Sequence, residues 1–200
     1  TLLPYPTLFR SDAYALMIGL IVPRPIAWVS TCDDKGHVNL APFSYFNGIA
    51  SDPLMLSIAI SNRRDGSDKD TLRLMKQTGV FCVNLVEQRD LVRMNNTAAE
   101  LPPDESEAER FDTATVACAV IPGVRIQGAR ASWECKLVDV HRYGRKQQVA
   151  LGVGEAVHVY VDDALLGEGG VPDPAAVDPV ARLGGVNYAM LGQRLAIPRP

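Results

Sequence analysis

Apolar and polar positions alternate along this chain in short runs, most of them of strand length. Leu54, Leu56, Ile58 and Ile60 alternate with Met55, Ser57 and Ala59, the period-two signature of a strand with one strongly apolar face. The run 80–86, Val-Phe-Cys-Val-Asn-Leu-Val, is nearly continuous and predicts a largely buried strand. Thr115 to Ile121 and Arg130 to His141 read as further strands, with Arg142-Tyr143-Gly144-Arg145-Lys146 as the turn into the next. In that last strand, Val149 to Val161, the odd positions are all Val or Leu except Glu155, and the even ones are Ala150, Gly152, Gly154, Ala156, His158 and Tyr160. A carboxylate on an apolar face is costly, so the flanking glycines predict a bulge that shifts the register and exposes Glu155. They also let another backbone or a flat ligand approach closely.

The central stretch is a hairpin. Apolar and aromatic runs from Arg24 to Asn47 flank Asp33-Asp34-Lys35-Gly36, a tight-reversal composition. Pro42 removes a ladder donor, so its strand should break, bulge or lie at an edge. Ser44, Tyr45, Phe46 and Asn47 follow, flat apolar faces mixed with short hydrogen-bonding groups that suit a planar, heteroatom-rich molecule. Three helices are predicted: residues 10–22 with a cap at Ser11 or Asp12, Thr71 to Thr78 capped by Asp70 and closed by Gly79, and about Glu87 to Asn95. The loop Asn62 to Asp70 sums to zero charge and reads as solvated surface. Glu100 to Glu109 carries five acidic residues, two prolines and no base, which predicts an exposed, mobile loop. The Pro- and Gly-rich segment 172–200 needs something, such as a second subunit, to tie it down.

Many short strands and few helices predict a mainly β fold, a barrel with peripheral helices, in a single domain over 1–200. A doubly wound α/β fold is disfavoured: strands and helices do not alternate, and no Gly-x-Gly-x-x-Gly follows a strand. The start, Thr1-Leu2-Leu3-Pro4-Tyr5-Pro6, lacks the basic flank and apolar core of a signal peptide, and no apolar run approaches membrane-span length, so a cytoplasmic address is expected. The missing initiator Met leaves room for sequence upstream. Cys32, Cys82, Cys118 and Cys135 have no close paired spacing of the zinc or redox kind, and Cys82 and Cys118, within apolar runs, read as buried free thiols rather than ligands or nucleophiles. A net charge of −3 argues against nucleic acid but leaves a small anionic ligand open.

The run Pro-Arg-Pro-Ile-Ala-Trp-Val-Ser-Thr, then Asn-Leu-Ala-Pro-Phe-Ser-Tyr-Phe-Asn, then Lys69-Asp70-Thr71, resembles the flavin reductase-like family of FMN-binding split β-barrels. Gly154-Glu155 and Arg182-Leu183-Gly184-Gly185 extend the likeness over most of the chain. Leu54 after Asp52-Pro53 and Leu74 in the helix after Lys-Asp-Thr depart from the family pattern. The resemblance implies FMN as cofactor, NAD(P)H as hydride donor and a homodimer with flavin near the subunit boundary. It carries Lys69 and Thr71 over as phosphate contacts, aided by the donors of the helix start. Asn39, Leu40, Ala41, Pro42, Ser44 and Asn47 become the flavin-binding stretch. Trp28, Ser30, Arg63 and His158 are each either flavin neighbours or plain structure, Thr31 is a weaker candidate beside Ser30, and Arg182, Gly184, Gly185 and Tyr188 form a segment returning to the ring. No catalytic acid, base, nucleophile or metal is required, because the cofactor carries the chemistry. The implied activity is flavin reduction supplying an oxygenase or another acceptor. The competing readings are an FMN-binding electron carrier reduced by a partner protein, and an oligonucleotide-binding barrel, which the acidic balance disfavours.

Overall fold

The computed structural model describes residues 10–102, 105–145 and 148–198, the side chains of Arg10 and Ser11 excepted. The chain start read for a leader, the Ser11 cap, Pro103 and Asp104 of the acidic stretch, Lys146 of the turn and the last two residues lie outside the described residues.

Helix α1 covers Arg10–Leu20, and β1 is the pair Arg24–Pro25. The predicted hairpin is β2 (Ala27–Cys32) and β3 (Val38–Phe43), joined in register from Ala27↔Phe43 to Cys32↔Val38. Gly36 takes φ +87° in its turn, and Asp33 accepts the N–H groups of Lys35 and His37. Two short steps give β4 (Phe46–Ser51) and β5 (Leu54–Ser61). Then come α2 (Asp70–Thr78), β6 (Val80–Asn84), α3 (Leu91–Asn96) and α4 (Glu107–Arg110). Strands β7 (Thr115–Ala117), β8 (Val124–Ile126), β9 (Ala131–Tyr143), β10 (Val149–Val161), β11 (Ala181–Arg182) and β12 (Tyr188–Ala189) complete the described elements.

Seven strands form one sheet in the order β3-β2-β6-β9-β10-β5-β4. Its two edge strands, β3 and β4, are consecutive in sequence and joined only by Ser44 and Tyr45. In a flat sheet of this order the edges would stand about 29 Å apart, six spacings of roughly 4.8 Å. Two residues reach only about 10 Å. The sheet therefore has to curl until its edges nearly meet, giving a mainly β barrel that is split between β3 and β4. Pro42 thus sits where its missing N–H costs nothing, on an edge strand.

The barrel interior holds Val29, Phe43, Leu56, Ile58, Ile60, Phe81, Val83 and Ala150, closed by Leu72 and Met75 of α2. The small-residue face of β10 points into this core. A Cβ at Gly154 would stand 2.4 Å from Cζ of Phe81, and one at Gly152 3.3 Å from Cε of Met75. The expected flat ligand against these glycines is therefore replaced by the protein's own Phe81 and Met75. The predicted bulge is present, as a register shift between Val153 and Gly154 against β9 that leaves Glu155 half-buried.

Other expectations need correction. Asp70 does not cap α2; Lys69 is the N-cap residue and Asp70 turns to Arg63 and Arg73. The helix predicted near Glu87 is a 3₁₀ turn, Gln88–Asp90, running into α3. The acidic stretch is not wholly exposed: Ser106, Glu107 and Ala108 are buried against β3 and its neighbours. The strand predicted over Thr115 to Ile121 stops at Ala117, because the N–H groups of Ala119, Val120 and Ile121 go to the Glu134 carboxylate instead of a neighbouring strand.

Candidate functional site

The free edge of β3 runs between two groups of residues singled out from the sequence. At one end, the Asn39 amide donates to Thr31 Oγ1 at 3.0 Å and to Thr71 Oγ1 at 2.9 Å, all three buried, which ties the first turn of α2 to the hairpin. At the other end stand Ser44 and Tyr45. Asn39 and Ser44 are five residues apart, about 17 Å at roughly 3.3 Å per residue, the length scale of an extended mononucleotide.

The charges around the α2 start are almost all paired. Arg63 and Arg73 neutralise Asp70, and Lys76 and Arg142 neutralise Asp68 at 3.2 and 2.6 Å. The Lys69 side chain, half-buried, makes no hydrogen bond or ion pair among the described residues, while its backbone carbonyl accepts the Arg73 N–H at 3.0 Å. As the N-cap residue, Lys69 stands next to the N–H groups of the first turn, which a helix leaves without intrahelical partners. The Asp70 charge, which would repel an anion, is held by two guanidinium groups.

Strand geometry turns Leu40 and Pro42 away from β2. α4 covers the first part of this edge: Ser106 Oγ donates to the Val38 carbonyl at 2.7 Å, and Glu107 Oε2 accepts the Leu40 N–H at 3.2 Å. Burial raises the Glu107 carboxyl above the ordinary range, and the Asp70 charge adds to this. Leu40 itself points into a second apolar cluster with Ile26, Trp28, Met94 and Ile126, and Ala41 packs on the barrel core, so both contribute backbone and shape.

At the Ser44 end the organising residue is Arg24, a residue of the hairpin motif to which the sequence assigns no role. It is buried, and its hydrogen bonds go to neutral oxygens. Its guanidinium donates to the carbonyls of Ile18, Ile21 and Leu183 at 2.7 to 2.9 Å and to Ser44 Oγ at 3.3 Å. It also lies 5.9 Å over the Tyr45 ring. One side chain thus gathers the end of α1, the barrel seam and the C-terminal segment. A lone arginine between Pro23 and Pro25 in an apolar run was the available signal. The Tyr45 hydroxyl is buried with no hydrogen-bond partner among the described residues, and burial, with Tyr14 beside it, pushes its pKa up. Asn47, on β4, is exposed.

The remaining candidates lie elsewhere. Trp28 is fully buried and its indole donates to Thr97 Oγ1 at 3.0 Å, so it is core. Ser30 is buried too, donating to the Val124 carbonyl at 2.6 Å under β8. Arg182 stacks 4.4 Å over Tyr188 and donates to the Gly185 carbonyl, and the Tyr188 hydroxyl bonds Asn95 at 2.7 Å; this pair docks the C-terminal segment on α3. Gly184 has a packing reason: a Cβ there would stand 3.4 Å from the Gly19 Cα of α1. Gly185 takes φ +60° in the same turn. His158 pairs across to β9 with its Nδ1 3.3 Å from Glu134, on the far side of β2 and β6 from the free edge of β3.

An open cleft of about 570 Å³ lies between α3 and residues 111–112 and 127–128. Its arginines are committed, Arg93 to Asp90 at 2.6 Å and Arg89 to Glu87 at 3.1 Å, so it offers an anion no free cation and does not compete with the β3 edge. Among the described residues no group of three His, Cys, Asp or Glu could hold a metal ion, and no helix is long and apolar enough to cross a membrane.

Residues 19–176 match the family profile described as the flavin reductase like domain. An uncharacterized protein of Halalkalibacterium halodurans is 35% identical, over 97% of this chain and 94% of its own. The crystal structure of nitrilotriacetate monooxygenase component B from Bacillus cereus superposes with a TM-score of 0.93 at 32% identity, covering 98% of both chains. The 2-nitrobenzoate 2-nitroreductase NbaA of Pseudomonas fluorescens gives 0.90 at 31% identity, covering 100% of this chain and 96% of that one. A Shewanella frigidimarina protein with a split barrel domain gives 0.85 at 24% identity, which supports the barrel assignment.

Proposed function

The chain belongs to the flavin reductase like family, and from that premise we propose that it holds FMN along the β3 edge and uses it to pass hydride from NADH or NADPH to an acceptor. The observation that carries this reading is the pair of unsatisfied groups at the two ends of that edge. Lys69 is a half-buried ammonium among neutralised neighbours, and Tyr45 is a buried hydroxyl without a partner. The donor set fits FMN: a cation and a helix start for the terminal phosphate, and a hydroxyl beside an edge strand for a heteroaromatic ring.

When bound, FMN supplies the hydride-accepting centre. The chain's own residues position it. Lys69 and the first N–H groups of α2 hold the phosphate, while Asn39 and Thr71 keep that turn in place. Arg63 and Arg73 cancel the charge of Asp70. Arg24 orients Ser44 at the seam. Leu40 and Pro42 present backbone carbonyls along the edge, and Asn47 stands free on β4. No side chain near this edge is asked to titrate during turnover.

The whole chain acts as one such domain, in keeping with a structural likeness that spans 98% of both chains. The acceptor is an oxygenase component receiving reduced flavin, a reading supported by the likeness to a monooxygenase component B. The likeness to a nitroreductase supports a second reading, in which reducing equivalents pass to a nitroaromatic in the same site.

The test is the visible spectrum of the purified protein, loaded with FMN or FAD, before and after anaerobic NADH and NADPH. The flavin band should bleach with one nicotinamide and return on adding free flavin and air. FMN should bind more tightly than FAD, since the site is built for a terminal phosphate. Bleaching only by a protein reductant would make this an electron carrier, and return of the band with 2-nitrobenzoate in the absence of air would favour the nitroreductase reading.

A further inference from the structure

The sequence separates its cysteines widely, but the fold gathers three of them. Ser30, Cys82 and Glu134 lie side by side across β2, β6 and β9, by the pairings Ser30↔Cys82 and Cys82↔Glu134, so their side chains share one face. The Glu134 carboxylate accepts the N–H groups of Ala119, Val120 and Ile121 at 2.7, 2.8 and 3.2 Å. That clasp draws the residue before them, Cys118, down over the same face. There its thiol lies beside the buried thiol of Cys82, whose own hydrogen bonds go to the Val83 carbonyl and Asn84 Oδ1. Cys118 is half-buried and all four thiols are free. Cys32, at the end of β2, lies near enough to Cys118 to interact with it electrostatically.

A thiol pair of this kind, one member buried and one accessible, under a three-residue backbone clasp, has no role in the flavin site. A soft-metal site is not available, since among the described residues no three ligands converge. We propose that Cys118 and Cys82 are an oxidation site for hydrogen peroxide, forming a disulfide that fastens the β7–β8 hairpin to β6. The half-exposed Cys118 sulfur attacks one peroxide oxygen, breaking the O–O bond and giving a sulfenic acid and one water. The Cys82 sulfur then attacks the Cys118 sulfur, the S–O bond breaks, and a second water leaves with the Cys82 proton. Two thiols are oxidised and one peroxide is reduced to two waters. The neighbouring Cys118 and burial raise the Cys82 pKa well above the ordinary range, so the half-exposed Cys118 is the thiol that meets peroxide first and Cys82 gives up its proton only as the bridge closes.

The experiment treats the folded protein with hydrogen peroxide, quenches it, and counts free thiols after unfolding, with intact mass and peptide mapping. Wild type should lose two of its four thiols and two hydrogens in mass, with Cys82 and Cys118 in one linked peptide that dithiothreitol releases. The oxidised form should melt several degrees higher, because the bridge closes a loop between β6 and β7. Cys32→Ser should behave as wild type. Cys118→Ser should keep all its remaining thiols, and Cys82→Ser should accumulate a sulfenic acid on Cys118 that dimedone traps. A bridge from Cys118 to Cys32, or a Cys118 that survives oxidation intact, would overturn the proposal. Should Cys82→Ser fail to fold, the Cys118→Ser variant and the wild-type map still decide it.

Discussion

Two charged residues show how differently this fold treats charge at the scale of the single side chain. Lys69 is left without an opposite charge among the described residues while its neighbours are neutralised. Its substitution by Ala should therefore weaken FMN by about 1–3 kcal/mol, the scale of a charge-assisted hydrogen bond, and leave riboflavin, which has no phosphate, nearly unaffected. Parallel fluorescence titrations check this; an equal loss for both ligands would place Lys69 outside the phosphate site. Glu134 is the opposite case, a buried carboxylate. Burial works against its charge, but three backbone donors and the neighbouring His158 outweigh it and hold its pKa below the ordinary value. A depressed folded pKa means stability that is complete above the unfolded value, about 4.3, and is lost as pH falls through the folded one. Glu134→Gln should destabilise the fold at pH 7 by the worth of a charged hydrogen bond, roughly 1.5–3 kcal/mol, and so lower its Tm. The gap to wild type should hold down to about pH 5 and close below about pH 4 in thermal scans. Lys69 could be read from a motif, whereas Glu134 could not, because its partners are backbone groups thirteen to fifteen residues away.

At the scale of the element, legibility followed hydrophobic period. β5, β6 and β10 were readable because alternation or a continuous apolar run survives in them, and β10 matches its predicted bounds. β4 was not, since nearly every residue in it is exposed and no face is marked. β8 is three residues long, too short to show a period. α4 was hidden by the acidic composition around Ser106, Glu107 and Ala108, which are buried through their fit to β3. The glycines of β10 were visible, but what fills the space beside them was not, because Phe81 comes from β6 and Met75 from α2. Gly154→Val should therefore act on the core. With a Cβ already 2.4 Å from Phe81, overpacking should cost about 1–3 kcal/mol or more and lower Tm by several degrees. Flavin affinity at a temperature where the variant is folded should change little. A variant that melts like wild type but loses flavin would mean that β10 borders the cofactor after all.

At the scale of the whole molecule, the barrel seam is also where apolar surface remains uncovered. β4 is an edge strand with Ile49 half exposed, and Leu54 follows it. β1 touches β4, and beside β1 the end of α1 presents Leu20, 75% exposed, with Ile21, Val22 and Met17. Arg24 fixes that helix end against the seam through Ile18, Ile21 and Ser44. Exposed apolar side chains beside an unpaired strand edge are what an association face would offer, and these adjoin the Ser44 and Tyr45 end of the proposed flavin edge. Two copies joined there would cover the patch and bring each ring end to the subunit boundary, as a homodimer requires. Each buried Leu or Ile side chain contributes about 1.5–3 kcal/mol. Replacing Leu20 and Ile49 with Asp should raise the dimer dissociation constant by ~100-fold or more and weaken FMN with it. Light scattering at micromolar concentration, with and without FMN, reads both: wild type should be a dimer, and the double variant should become monomeric while keeping its far-ultraviolet circular dichroism. A wild-type monomer that still holds flavin would separate the apolar patch from the site and leave Tyr45 to meet the ring within a single chain.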